Sequence, residues 1–584
     1  MPSQPAVSQG PYSARRLLPG LWVLRQYQRT WLRGDVIAGV TVAAYLVPQV
    51  MAYAEVAGLP AITGLWAVVA PLAVYAILGS SRQLSVGPES TTALMTAAAV
   101  GAMVAGNSER YAETAAALAI AVGLLCILGW LGRLGFLANL LSRPVLVGYM
   151  AGIAVLMIIS QLGKITRIDV EGDSTFAELG SFLRQLDQAH LPTLALAVGM
   201  LVLLFAIRHW FPRLPGPLIA MLLAAGIVAV FNLEELGVAV VGEIPRGLPF
   251  PAVPDFSGIE LAKLIPAAVG VAIVGYSDNV LTARAFAAKR HESIDSGQEF
   301  LALGVANVAA GLFHGFPVSS SGSRTALGDA MGSRTQLNSL VSMVSVLLTM
   351  LFLGPLLAVF PRAALGAVVI YAAIRLVDIA ELRRIAHFRR SEFVLALSTT
   401  AAVLTLGVLA GIGVAIALSI LDLLRRIAKP HDGVLGYVPG MAGMHDVEDY
   451  PAGRQVPGLV VYRYDSPLFF ANAEDFKARA LLAVDEAPEE VEWFLLNAEA
   501  NIDVDLTAVD ALDELRRVLA ERDIIFAMAR VKYELRDLLI TGGFVEKVGE
   551  QRIFSTLPTA VDAYLDWYVD RHGSAPPGLL RPPR

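Results

Sequence analysis

The sequence predicts an α-helical polytopic membrane protein of about fourteen spans, built as two inverted halves and followed by a small α/β domain. Three observations predict it. Of 584 residues, 55% are hydrophobic and only 16% charged, and the mean hydropathy is +0.60, well outside the ordinary soluble range. The charges that remain alternate in sign from loop to loop. Two proline breaks followed by hydroxyl residues, at Pro88 and Pro317, sit in corresponding halves, the mark of an inverted repeat.

A spanning helix needs about 20 apolar residues. Candidate spans fall near 35–57, 60–79, 88–105, 112–132, 143–163, 191–211, 215–232, 262–287, 297–313, 317–331, 336–360, 362–379, 391–408 and 410–427. The run 391–427 reads either as one long helix or as two turning near Gly411 and Gly413. Loop charge decides the orientation. With the N-terminus inside, the even-numbered connections carry Ser81-Arg82, Arg133 with Arg143, Arg208-His209 with Arg213, Lys289-Arg290, Arg334, and Arg383-Arg384 with Arg389-Arg390. The opposite connections hold Glu109 and Glu113, then Asp169, Glu171, Asp173 and Glu178, then Glu234, Glu235, Glu243 and Asp255. That asymmetry follows the positive-inside rule and places both termini in the cytoplasm of a cell-membrane protein.

The domains expected are a cytoplasmic leader over 1–30, a transport domain over 31–430 with repeats of about 31–260 and 261–430, and a linker over 431–457. A soluble domain over 458–566 and a disordered tail over 567–584 complete the chain. In the leader, Arg15, Arg16, Arg25, Arg29 and Arg33 precede the first apolar run without a signal-peptide cleavage pattern. Past the Gly/Pro-rich stretch 433–458, strands are predicted at Leu459–Tyr464, Val491–Leu496 and 524–528, and helices at 507–519 and 532–540.

Composition also excludes chemistry. Cys126 is the only cysteine, so intrachain disulfides, CxxC redox motifs and thiolate metal sites are ruled out. Its apolar setting predicts a small buried residue. No phosphate loop follows a strand and no His/Cys metal cluster or nucleophile–base pair is visible. No enzyme, cofactor or nucleic-acid partner is therefore expected, and the net charge of −6 says little about partners.

The run Gly315-Phe316-Pro317-Val318-Ser319-Ser320-Ser321-Gly322-Ser323-Arg324-Thr325 carries the candidate site. A helix that begins within the membrane leaves its first N–H groups unpaired, with the positive end of its dipole behind them. Anions bind such ends. Ser85-Val86-Gly87-Pro88-Glu89-Ser90-Thr91-Thr92 repeats the arrangement, so two helix tips converging on one anion are predicted, with Arg324 adding a full charge. The competing structural explanation has the hydroxyls back-bonding to carbonyls and Arg324 paired with Asp329 or Glu89.

In the first span Pro48 interrupts the helix, and Gln49 and Tyr53, four apart, share a face and can donate to an oxyanion. A simple kink and an interfacial aromatic would explain them equally. Asp278 lies deep in an apolar span, where a carboxylate suits reversible protonation or sodium binding unless it pairs with Arg284 or Arg324. Glu89 and Glu55 are the other membrane-region carboxylates. Gly148 and Gly152 have the spacing of close helix packing, and Asp505 is placed to cap the helix beginning near Thr507.

At these residues the chain resembles the sulfate permease (SulP) family of anion transporters, over roughly 30–565. The likeness is carried by Ala43, Tyr45, Pro48-Gln49, Ala52-Tyr53-Ala54 and Gly58-Leu59-Pro60 in the first span. Gly79–Pro88, Phe286-Ala287 with Gln298-Glu299, and Phe316-Pro317-Val318-Ser319 with Ser323-Arg324-Thr325 continue it. The resemblance implies a seven-plus-seven repeat, a core domain moving against a gate domain by an elevator motion, a homodimer, and an anion between the third and tenth helix N-termini. On that basis Gln49, Tyr53, Glu89, Ser90, Ser321, Gly322, Ser323 and Arg324 would line the site, and Asp278 with Glu89 would carry ion coupling.

The C-terminal segment looks like a STAS domain, Asp505-Leu506-Thr507 matching its Asp-x-Thr element. Glu499 stands where anti-sigma-factor antagonists carry a phosphorylatable serine. The most detailed likeness is to actinobacterial, mycobacterial-type members, which implies sulfate as substrate, and the acid at Glu89 argues for cation-coupled uptake. The expectation is sulfate uptake coupled to protons. Alternatives are bicarbonate or dicarboxylate transport with sodium, or a transport-inactive membrane sensor or scaffold acting through the STAS domain.

Overall fold

The structure, a computed structural model, describes residues 17–104, 110–139, 142–170, 175–211, 214–242, 247 and 249–577. The charges expected at Arg15, Arg16, Glu109, Glu171, Asp173, Arg213 and Glu243 lie outside these residues, as does the end of the tail. The chain forms two compact units, Met1–Ser419 and Ile420–Arg584.

The first unit is helical because its segments are apolar on most faces and a backbone in lipid has to satisfy its own hydrogen bonds. Its main helices are α1 (Leu32–Val56), α2 (Ala61–Leu78), α3 (Ser90–Val104), α4 (Tyr111–Leu131), α5 (Arg143–Thr166), α6 (Leu191–Trp210) and α7 (Gly216–Val230). The second half supplies α8 (Leu261–Ala288), α9 (Ser296–Leu312), α10 (Gly322–Ala330), α11 (Leu337–Phe352), α12 (Arg362–Leu376), α13 (Arg390–Leu406) and α14 (Val408–Ala428). Short helices include Pro19–Arg25, ahead of α1, and Ile379–Phe388, between α12 and α13. Among the described residues, eight helices are long and apolar enough to cross a membrane, and α3, α7 and α11 are shorter apolar helices.

The run 391–427 is two helices, and the break falls at Gly407 rather than near Gly411 or Gly413. Gly407 has φ +84° and ψ 173°, a conformation open essentially to glycine alone. Gly411 serves packing instead: a Cβ there would lie 2.7 Å from Val403 Cα. Gly148 also packs as its spacing predicts, since a Cβ would meet the Ala396 carbonyl of α13 at 2.1 Å. Cys126 is fully buried.

Two buried carboxylates tie helices together with no ion pair among the described residues. Asp35, in the first turn of α1, accepts Thr335 Oγ1 at 2.7 Å and the Arg334 amide at 2.6 Å. Glu299, in the first turn of α9, accepts Tyr75 Oη at 2.9 Å, Ser80 Oγ at 2.7 Å and Asn279 Nδ2 at 2.6 Å. Such saturation is what makes a buried carboxylate tolerable.

The second unit is a six-stranded sheet in the order β4-β3-β5-β6-β7-β8. It comprises β3 (Asp432–Tyr437), β4 (Met444–Asp446), β5 (Leu459–Tyr464), β6 (Trp493–Asn497), β7 (Ile525–Ala529) and β8 (Ile553–Phe554). β5 to β8 run parallel, whereas β3 is antiparallel to both β4 and β5. Alternate residues feed two cores: Tyr462, Phe494 and Phe526 face α15 (Ala473–Asp485) and α16 (Leu506–Glu521), while Val461, Leu495 and Ala527 face α18 (Leu557–His572). Between these last helices, α17 (Tyr533–Thr541) packs Leu535 and Leu539 onto the first core.

Two boundaries differ from the expectation. The Gly/Pro-rich stretch read as a linker holds β3 and β4, because Val434 and Leu435 pair with Tyr462 and Val461 across the glycines. The expected tail begins inside α18, whose Tyr564 and Leu565 are buried. Asp505 caps α16 by accepting the Ala508 amide at 2.8 Å, and its other oxygen accepts the Phe470 amide at 2.8 Å. Asp505→Ala should therefore destabilise this unit by about 1–2 kcal/mol, read as an earlier thermal transition of the intact chain.

Candidate anion site

The two proline breaks lie against each other. Val86–Gly87 forms β1 and Ser319–Ser320 forms β2, an antiparallel pair in which Val86 faces Ser320 and Gly87 faces Ser319. Two further bonds lock it: the Ser321 amide donates to the Ser85 carbonyl at 2.9 Å, and the Ser85 amide to Thr325 Oγ1 at 3.0 Å. Proline sets each break by removing an amide donor, and α3 and α10 start within a few residues of the ladder. α10 has nine residues, about 14 Å of helix, far short of a bilayer core of about 30 Å.

Arg324, in the first turn of α10, is 0% exposed. Its Nη1 donates to the Pro88 carbonyl at 2.9 Å and to Gln49 Oε1 at 3.2 Å, and its Nε to Ser85 Oγ at 3.4 Å. Nη2 has no hydrogen-bond partner. Among the described residues no carboxylate forms an ion pair with it; Asp329 pairs with Arg290 instead. The guanidinium is thus a buried cation with a donor to spare, an arrangement that is costly unless an anion completes it. Gly87 makes room for it, since a Cβ there would stand 3.3 Å from Nη2.

Gln49 relays the arginine to Tyr53. Its Oε1 accepts from Arg324, and its Nε2 donates to Tyr53 Oη at 3.1 Å, which leaves the tyrosine hydroxyl proton to donate elsewhere. Both side chains are 2% exposed. On α10, Ser321 caps the helix by accepting the Arg324 amide at 3.5 Å. Gly322 is exposed, and a Cβ there would meet only open space. The first amides of α10 have no acceptor within the helix, so its tip offers donors and positive dipole towards that space.

The tip of α3 differs. Glu89 turns back on its own helix, accepting the Thr91 amide at 2.8 Å and the Ser90 hydroxyl. Its carboxylate already occupies part of the place predicted for a bound anion. Asp278, on α8, accepts Ser320 Oγ at 3.1 Å and forms no ion pair with Arg324 among the described residues. The ladder therefore brings Gln49, Tyr53, Glu89, Ser90, Ser321, Gly322, Ser323 and Arg324 together, and Asp278 joins them through Ser320.

A cavity of about 130 Å³ reaches Ser323 between α1, α10, α6 and α12. Tyr45, Tyr371, Arg208 and Arg375 line it with no carboxylate among its walls, and Arg375 stacks over the Tyr371 ring at 5.7 Å. In the sequence Tyr45 carries only the family likeness and Arg208 only a loop charge, and Tyr371 and Arg375 lie in an unbroken apolar span. The available signal was one cation at the end of that span.

The sequence profile described as "Sulfate permease family" matches residues 32–399, the stretch that builds this ladder. The chain belongs to the sulfate permease family. A "STAS domain" profile matches residues 450–560. A Mycobacterium tuberculosis protein named "Probable sulfate transporter" is 61% identical over 546 residues, covering 94% of this chain and 98% of its own. The Arabidopsis thaliana protein named "Sulfate transporter 4.1, chloroplastic" is 32% identical, covering 94% of this chain and 82% of its own. Murine Slc26a9, described as an anion transporter in the inward-facing state, superposes with a TM-score of 0.88 at 22% identity over 96% of both chains. That likeness establishes the fold, a helical membrane domain with an α/β domain after it, while the two profiles assign these to the sulfate permease family and the STAS domain.

Proposed function

We propose that this chain is a secondary active transporter that takes up sulfate with protons. The supporting observation is Arg324, buried, unpaired by any described carboxylate, and left with a free donor where two helix tips meet. In this reading Gln49, Tyr53, Ser90, Ser321, Gly322, Ser323 and Arg324 hold the oxyanion. Glu89 and Asp278 carry the coupling proton, because an ionised carboxylate beside a dianion is stable only with a cation. The names of the relatives favour sulfate. Tyr45, Arg208 and Arg375 form the electropositive approach to the site.

An elevator motion fits the packing. One body comprises α1–α4 and α8–α11, the other α5–α7 and α12–α14. Glycine contacts tight enough to exclude a Cβ stay within a body, as at Gly64 on Val50, Gly123 on Gly304 and Gly148 on Ala396. Across the divide a Cβ at Gly270 would stand a looser 3.6 Å from Leu409 Cδ2. A homodimer in the cell membrane with cytoplasmic termini completes the proposal.

Purified protein in liposomes tests it. Labelled sulfate should accumulate when an inward proton gradient is imposed, and collapse of the gradient should abolish accumulation. Competition by bicarbonate or dicarboxylates with a sodium requirement would replace this reading with sodium-coupled transport. Complete absence of anion binding would leave a sensor acting through the STAS domain.

A further inference from the structure

On the side where α1 ends and α12 begins, a second cavity of about 840 Å³ is lined by Glu55, Lys164, Arg362, Trp66 and His314 among others. None of the residues around Arg324 is in its walls. Tyr53, beside the site, is 2% exposed, and Glu55, two residues further along α1, is in the wall of this second cavity. The cavity at Ser323 touches the candidate site, and the one on the Glu55 side does not.

Three charges meet in the wall of this second cavity. Lys164 Nζ lies 3.3 Å from Glu55 Oε2 and also donates to the Glu55 carbonyl at 3.1 Å. Arg362 Nε lies 4.0 Å from Glu55 Oε1. Glu55 is 11% exposed and belongs to one proposed body, while Lys164 on α5 and Arg362 on α12 belong to the other. Glu55 sits in the last turn of its helix and Arg362 in the first turn of its own. A carboxylate at a C-terminus and a cation at an N-terminus each oppose the local helix dipole. Helix stability does not account for either charge; the bond between the bodies does.

We propose that Glu55, clasped by Lys164 and Arg362, is a latch that holds α1 against α5 and α12 while the site faces the Ser323 cavity, and that it parts when the site opens the other way. The proposal rests on the two-body reading above. It adds that one carboxylate sets the balance between the two open states.

The single buried cysteine makes a direct test possible. Ser323→Cys gives a reporter that a membrane-impermeant maleimide reaches from either face of oriented vesicles, with no substrate present. With Glu55 intact, labelling should come mainly from the Arg208 and Arg375 face. Glu55→Gln should raise the share from the opposite face by about tenfold, and the exchange Glu55→Lys with Lys164→Glu should restore the original ratio. Arg362→Gln, removing the looser partner, should shift the ratio the same way by a smaller factor, and it serves if Glu55→Gln fails to fold. An unchanged ratio in Glu55→Gln, or in Arg362→Gln where only that variant folds, overturns the latch. Sulfate protection of the reporter is scored separately: its absence would defeat the anion reading and leave the latch standing.

Discussion

Arg324→Ala should abolish both saturable sulfate binding and gradient-driven uptake. The side chain supplies the full positive charge at the ladder and three hydrogen bonds that hold Gln49, Ser85 and the Pro88 carbonyl. Removing one partner of a buried charged contact costs about 2–5 kcal/mol, which is about thirtyfold or more in affinity. Calorimetry on purified protein reads the loss directly. Arg324→Lys should recover a fraction only, because an ammonium keeps the charge but cannot reach two acceptors and the anion at once. Binding that survives Arg324→Ala would remove the basis of the proposed function, provided thermal unfolding shows the variant folded.

Asp278→Asn should separate coupling from transport. One unit of pH gradient is worth about 1.4 kcal/mol per proton, or about tenfold accumulation. The amide keeps the contact with Ser320 Oγ yet cannot exchange a proton. Accumulation should therefore fall to equilibration, while exchange of labelled for unlabelled sulfate continues. Should Asp278→Asn still concentrate sulfate, Glu89→Gln becomes the deciding variant, since that carboxylate already caps α3 through Thr91. Retained accumulation in both would refute proton transfer through either acid.

Much of this was legible from spacing. Apolar runs located the helices of the first unit, and the prolines at 88 and 317 located the starts of α3 and α10. The direction of Glu89 was not legible, because folding back onto Thr91 depends on backbone angles that residue order does not reveal. Nor was the Gly407 break, which a glycine-rich run 407–413 could have placed at any of three positions. Composition misled at 432–446: glycines there mark strands lying close to neighbours, as at Gly436, where a Cβ would meet the Arg454 carbonyl at 2.7 Å. Tyr371 and Arg375 show a further limit. A residue contributed to a cavity by a helix distant in sequence carries no motif of its own.

The placement of β3 against β5 has a practical consequence for anyone isolating the soluble unit. A fragment cut at residue 450, where the STAS profile begins, or at Gly458, where the composition changes, would strip β3 from β5 and bare that edge of Leu459–Tyr464 to any neighbouring chain. Cutting ahead of Asp432 keeps that flank covered.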